Sequence, residues 1–242
     1  MFTSIINYKK VYIFNTLTNF FYIGNFCYSF YNVKLFNPNF KDPTFRYCNG
    51  GAYGTFYSKY LNRLKKKFHF IDIGANIGIY SLIASKNNNC IKIDAFEPNP
   101  TIYNKLKKNL SHVNYATCNE VAITNKFGDI EFFINPDSSG SSQIDNPKSN
   151  LKIKAVNGNF LKKIIAKDHI TNIKIDVEGH ELVVLNEIIK TVDLKKINSI
   201  YIEIANDKTV LNNYIKKLKK FKLIYFQSSK KRCDCLFENS LI

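Results

Sequence analysis

Four carboxylates stand at the ends of strand-like runs: Asp72 in FIDIG, Glu97 in AFEPNP, Asp176 in IKIDVEG and Glu203 in IYIEI. In an open parallel α/β sheet, ligands bind beyond the carboxyl ends of the strands, so these four acids are expected around one crevice. Gly74 and Gly78 frame the turn after Asp72, and Glu97 lies nineteen positions past Gly78. Strand, glycine turn, helix start, second strand and terminal acid are the parts that hold a nucleoside by its ribose diol. A dinucleotide turn has glycine at all three turn positions, because the backbone must come up against a pyrophosphate. Here Asn76 takes the middle place, which suits a nucleoside with no charged linker, such as S-adenosylmethionine (SAM).

On that reading Gly74, Asn76 and Gly78 shape the turn, and Asp72 meets the amino group of the methionine part, directly or through water. Glu97 takes the ribose hydroxyls. Asn119 or Glu120, after the third strand, falls near the adenine edge by position alone. The competing structural account of Gly74 and Gly78 is a strand-to-helix turn that needs small residues for close packing.

The densest polar group is Asp176, Val177, Glu178, Gly179, His180, Glu181. A methyl sulfonium is already electrophilic, so a protein using one has to align the acceptor and remove its proton. A carboxylate is a weak base for a hydroxyl unless burial raises its pKa, whereas an imidazole is nearer neutrality. Asp176 and His180 are therefore the base candidates, with Glu178 the alternative. Glu178 with Lys174 also reads as a charge-neutralising pair at a strand end, and His180 as a helix-start residue facing solvent. A divalent ion shared by Asp176, Glu178 and Glu203 is chemically reasonable, but nothing in the spacing fixes their geometry and no metal is assigned.

The elements that must position these groups follow from periodicity. From residue 68 onward, apolar runs alternate with helical patterns, which builds a parallel sheet covered on both faces. Strands are expected at 68–73, 91–97, 113–123, 171–179 and 199–205, with helices at about 78–86, 100–110, 159–167, 181–190 and 207–219. Residues 130–134 and 151–156 read as added strands, and 221–226 with 232–237 as a closing antiparallel hairpin. The stretch 135–150 is rich in Ser, Pro and Gly and reads as a long loop whose hydroxyls could meet a substrate.

Of 242 residues, 45% are hydrophobic and 14% aromatic, which excludes a disordered chain and allows one sizeable core. The formal net charge of +16 invites a nucleic-acid partner. Arg occurs only at 46, 63 and 232, however, while Lys and Asn are abundant, and phosphate-reading sites favour the arginine fork. Six cysteines without metal-ligand spacing point to reduced thiols and a cytoplasmic setting. Cys233 and Cys235 alternate on the last strand and are expected to pack on one side. The start of the chain lacks the pattern of a cleaved signal peptide. Residues 11–33 are uncharged between Lys10 and Lys34 but carry four Asn. They are read as a cap on the enzyme, with peripheral membrane contact through aromatics and lysines as the other outcome.

IDIGANIG, FEPNP and IKIDVEGHELVVL together resemble the FkbM family of SAM-dependent methyltransferases, over about residues 50–205. The resemblance implies an α/β, Rossmann-like class I methyltransferase fold, with a seven-stranded, mostly parallel sheet, helices on both faces and an antiparallel C-terminal hairpin. It implies SAM as donor and O-methylation of a sugar, glycan or other small hydroxylated acceptor. Asp72, Gly74, Asn76, Gly78 and Glu97 fall on the family's donor motif, and Asp176, Glu178, Gly179 and Glu181 on its later one. Where many members have an acid after Gly-x-Tyr, this chain has Gly54 after Gly51, Ala52, Tyr53. Two domains are expected, a cap at 1–66 and the methyltransferase domain at 67–242. The second function is an RNA 2′-O-methyltransferase, and the third a catalytically silent binding protein at a membrane. Oligomeric state is left open.

Overall fold

The computed structural model describes residues 8–22, 24–144, 146–165 and 169–240. Most of the opening stretch behind the signal-peptide expectation, residue 23 of the 11–33 segment, and the last two residues of the helix expected to end at 167 lie outside them. In chain order the amino-terminal part holds α1 (Tyr8–Phe20), β1 (Phe26–Tyr28), β2 (Lys34–Phe36), α2 (Pro43–Gly50) and α3 (Phe56–Arg63). Next come β3 (Phe68–Ile73), α4 (Ile79–Ser85), β4 (Cys90–Phe96), α5 (Pro100–Leu110), β5 (Ala116–Asn119), β6 (Ala122–Ile123) and β7 (Gly128–Phe133). The rest comprises β8 (Gln143–Ile144), β9 (Leu151–Val156), α6 (Gly158–Ile164), β10 (Ile170–Ile175), α7 (Glu181–Thr191), β11 (Ile197–Ala205), α8 (Lys208–Lys217), β12 (Phe221–Ser228) and β13 (Arg232–Asn239).

Seven strands form the main sheet in the order β12-β13-β11-β10-β3-β4-β5. β10 pairs in parallel with β3 and β11, and β4 with β3 and β5, whereas β13 runs antiparallel to β11 and β12. This is the Rossmann-like sheet with its carboxy-terminal hairpin. The sequence expectation fails at two places: the 135–150 loop contains β8, paired with β7, and 113–123 is not a single strand. β5 ends at Asn119, and β6 leaves the main sheet to pair with β9 in a second sheet of order β6-β9-β7-β8. Both ends of the break are pinned, because Glu97 N donates to Asn119 O while Thr124 N donates to Val156 O. The two added strands, β7 and β9, belong to this second sheet.

Strand alternation sorts the core. Phe68 and Phe70 of β3 face one side, with Leu61 of α3, Leu82 of α4 and Leu106 of α5. Ile71 and Ile73 face the other, with Leu161 of α6, Val184 and Leu185 of α7, and Tyr214 of α8. Each face is thus roofed by helices, as a parallel sheet requires. Cys233 and Cys235 share the second face and are buried there. Side-chain caps start α5, α2 and α8. Asn99 accepts from Thr101 N and Ile102 N ahead of Pro100, Asp42 accepts from Thr44 N ahead of Pro43, and Asp207 accepts from Val210 N.

The amino-terminal elements share the first core rather than hanging beside it: Leu35, Phe45, Cys48, Tyr57 and Leu61 are buried with the sheet residues. Tyr57 stacks on Tyr201 of β11 at 4.0 Å between ring centroids. Two asparagines of the uncharged 11–33 segment have structural work. Asn15 is buried and donates to Arg46 O on α2, and Asn32 takes a positive φ of 55° at the β1–β2 turn. Leu61→Ala is expected to cost about 2–5 kcal/mol in urea titration. The unfolding transition should stay single, because residues 26–64 and the sheet bury one another.

Candidate active site

One cavity of about 280 Å³ opens at the carboxyl ends of β3, β4 and β10 and reaches Glu203 and Arg232. Its first end is made by the turn after β3. Gly74 has φ +74°, and a Cβ there would lie 1.8 Å from the Asp176 carbonyl oxygen, so only glycine lets the turn pass under the β10 loop. Gly74 N and Ala75 N both donate to Phe96 O, and Gly78 begins α4 with φ +86°. Asn76, at φ 49°, turns its own amide N–H onto Glu97 Oε2 at 2.9 Å, while Asn99 N donates to Glu97 Oε1 at 2.9 Å. Each Glu97 oxygen keeps a second lone pair, and the residue lines the cavity. Burial pushes the Glu97 carboxyl up to about 7 against the pull of those two amides.

Asp72 lies beneath this floor. Fully buried, it accepts from Ser81 Oγ on α4 at 2.7 Å and stands 3.4 Å from Lys174 Nζ. It is not among the cavity-lining residues, and the cation it faces is Lys174. Lys174 does line the cavity. Its Nζ donates to Gly74 O at 2.6 Å and lies 3.5 Å from Asp176 Oδ2. Burial pulls the Lys174 ammonium down, but Asp176 and Asp72 outweigh it and keep it above the ordinary lysine value.

The second end is acidic. Oxygens of Asp176, Glu178 and Glu203 all lie within 4.8 Å of one another. Arg232, entering from β13, sits against Glu178 at 3.0 Å, Glu203 at 3.8 Å and Glu181 at 4.0 Å. The Lys174–Glu178 pair expected from the sequence is therefore replaced by Arg232–Glu178. Burial first, then the neighbouring acids, push Glu203 to about 9 and Glu178 and Asp234 to about 7. The three carboxylates have the oxygen chemistry a divalent ion needs, and the guanidinium already supplies positive charge to two of them.

Three further candidates stand off the cavity. His180 Nε2 is 2.9 Å from Thr124 Oγ1, Asn119 Nδ2 donates to Ala95 O, and Glu120 is exposed. The positions beside the expected adenine contact that do line the cavity are Val121, Ala122 and Ile123, where the chain crosses into the second sheet. Two contributors were not assigned from sequence, Lys174 as a floor residue and Arg232 as an acid-holding cation. A third, the roof, was read only in part: Thr44, Tyr47 and Cys48 of α2 with Ser138–Ser142 of the long loop. Thr44 Oγ1 accepts from Gly140 N and lies 3.0 Å from Ser138 Oγ, joining the two halves of the roof. Tyr53, after the Gly51–Ala52 pair, lines the cavity as well.

The family model for the methyltransferase FkbM domain matches residues 72–222. The hexuronic acid methyltransferase AglP of Haloferax volcanii is 30% identical over 134 residues, covering 55% of this chain and 54% of the relative. This chain thus matches about half the length of that curated relative. Among solved structures, aTrm5 in its complex with tRNALeu aligns with a TM-score of 0.50 at 11% identity, over 89% of this chain and 52% of that one. The putative methyltransferase yhhF from Escherichia coli aligns with a TM-score of 0.47 at 13% identity, over 87% and 94%.

Gly74→Ala is expected to destabilise the fold by about 2 kcal/mol or more, read as a lower urea midpoint, because the added carbon meets a carbonyl oxygen. The raised carboxyls set a pH dependence with a definite sign. Folding favours their protonated forms, so their stabilising contribution is complete below the ordinary carboxylate range. It is lost as pH rises through about 7 for Glu97, Glu178 and Asp234, and through about 9 for Glu203. The melting temperature of the ligand-free protein should fall between pH 6 and 9 in scanning calorimetry, with a shallower fall for Glu203→Gln.

Proposed function

The chain belongs to the FkbM family of SAM-dependent methyltransferases, and from that premise we propose that it methylates a hydroxyl of a glycan or other small hydroxylated acceptor. The observation that carries this reading is the continuity of one cavity from the Gly74–Glu97 end to the Asp176–Glu203 end. A donor held at the first end and an acceptor at the second would share an enclosed space, which is what alignment for transfer demands. The curated relative named for hexuronic acid supports a sugar acceptor.

The residues fit SAM. Gly74, Ala75 and Asn76 of the first turn line the cavity, and Glu97 beside them offers free lone pairs to a ribose diol. The acids beyond give a cationic sulfonium a favourable field. When bound, SAM supplies an electrophilic methyl group. The chain's own part is to orient the acceptor and take its proton. Asp176, lining the cavity with Lys174 behind it, is placed to accept that proton. Glu203 lines the same end of the cavity beside Arg232 and offers a second carboxyl to the acceptor. Glu178 is held by Arg232 and shapes the wall. Four acids line this cavity against two cations, Lys174 and Arg232, both engaged by carboxylates.

Incubation with methyl-tritiated SAM and a panel of glycosides tests the reading. Label should enter in alkali-stable form, as an ether does, and release of volatile label by mild alkali would instead mark a carboxyl acceptor. Asp176→Asn should lower kcat by about 100-fold or more with SAM affinity kept within about threefold. Glu97→Ala should lose SAM binding in calorimetry, and unchanged affinity in that variant would remove the ribose role.

A further inference from the structure

α1 has two unlike sides. Val11 and Asn15 are buried against α2, where Asn15 Nδ2 donates to Arg46 O and Asn15 Oδ1 accepts from Asn49 Nδ2. At 100° per residue, Ile13, Leu17 and Phe20 fall in one sector on the opposite side, flanked by Tyr12 and by Phe21 just past the helix end. These side chains are in solvent: Tyr12 is 72% exposed, Phe20 79% and Phe21 70%, with Ile13 and Leu17 about half exposed. The polar residue among them hides its hydroxyl, since Thr16 Oγ1 donates to Tyr12 O. Phe30, also half exposed, meets Phe14 of α1 edge to face at 6.2 Å and extends the apolar surface onto the β1–β2 turn.

Charge is distributed just as unevenly. No Asp or Glu precedes Asp42, while Lys9, Lys10, Lys34 and Lys41 fall in that stretch. Lys9 and Lys10 open the helix and are exposed, and Lys34 Nζ lies 3.7 Å from the centroid of the Phe26 ring. Aromatic side chains that sit at headgroup depth, with lysines and without acids around them, are the composition of a surface that rests in an anionic bilayer interface. Spanning is not the geometry: thirteen residues reach only about 20 Å against about 30 Å of hydrocarbon. No described helix is long and apolar enough to cross.

The geometry points to peripheral docking of this protein on an anionic lipid membrane through the exposed face of α1, with α2 and the cavity roof carried directly behind it. The charge arrangement selects the occupant, because a bilayer bearing phosphate headgroups satisfies the lysines and the aromatics together. Docking is independent of the methyl transfer proposed above, so either can fail alone.

The test is sedimentation of the full chain with vesicles of phosphatidylcholine alone and with 30% phosphatidylglycerol. Binding is expected to the anionic vesicles, to weaken as salt rises, and to fall at least tenfold in the triple variant Tyr12→Ser, Leu17→Ser, Phe20→Ser. Circular dichroism and SAM calorimetry on that variant check that the fold and donor site persist. Equal recovery in the supernatant with both vesicle types overturns the proposal. So does anionic binding that the triple variant leaves intact, which would trace it to lysines elsewhere. A lipid-free dimer in analytical ultracentrifugation that the variant dissolves also overturns it, since the face would then join two copies of the chain.

Discussion

A buried ammonium ties the catalytic half of this molecule together. The Lys174 side chain is 3% exposed, and its Nζ meets Gly74 O, Asp72 and Asp176. An ammonium taken out of water costs several kcal/mol unless oxygen ligands replace its hydration. Here the ligands come from three separate segments, the end of β3, the turn after it and the loop after β10. The parallel register that pairs Lys174 with Asp72 brings them within reach. Ser81 of α4 occupies the other Asp72 oxygen, so the first helix of the fold is fastened to the same ion. The Gly74 turn is thereby set before any ligand arrives, and a site already in its binding shape loses less affinity to ordering.

The DVEGHE segment reads differently once its contacts are known. Asp176 faces the cavity, but Glu181 turns back to accept from Val177 N and Gly179 N, closing its own loop at the start of α7. Glu178 has φ 55° and Gly179 φ 105°, a reversal whose strain falls on a non-glycine residue. That reversal aims the Glu178 carboxylate at Arg232, 54 positions further along the chain. The motif thus supplies two cavity-lining acids, Asp176 and Glu178, and in Glu181 the residue that holds their loop.

The apolar run of β3, the glycine turn and the helix over 100–110 were legible because each is a local property of a few adjacent residues. So was Glu97, whose place follows from the length of one βαβ unit. Lys174 was not legible in its role, since a lysine on a central strand gives no local sign that it will be buried among acids. Arg232 was hidden for another reason. Its partners become neighbours only when β13 adds antiparallel to β11, pairing Asp234 with Glu203 and setting Arg232 beside the β11 terminus. His180 was a base candidate by residue type, and the start of α7 sets its Nε2 beside Thr124 Oγ1, a contact that no local pattern announces. Burial and long-range register, rather than composition, decided these three.

Net charge shows the same division between global and local. A chain of +16 presents an attractive field to anions at a distance, yet the two cations that line the cavity, Lys174 and Arg232, are both engaged by acidic side chains. Screening removes interactions between exposed charges beyond roughly 8–10 Å, so what a bound acceptor meets is the local set, not the sum. The sheet and its buried lysine fix the Gly74 turn, whereas the cavity roof comes from α2 and the Ser138–Ser142 loop, joined by Thr44 and Ser138, and meets that turn where Asn76 Nδ2 donates to Ser139 Oγ. Loops tolerate change that a sheet does not. The loop-built roof is therefore the part of the cavity that can change without disturbing the ion-paired floor.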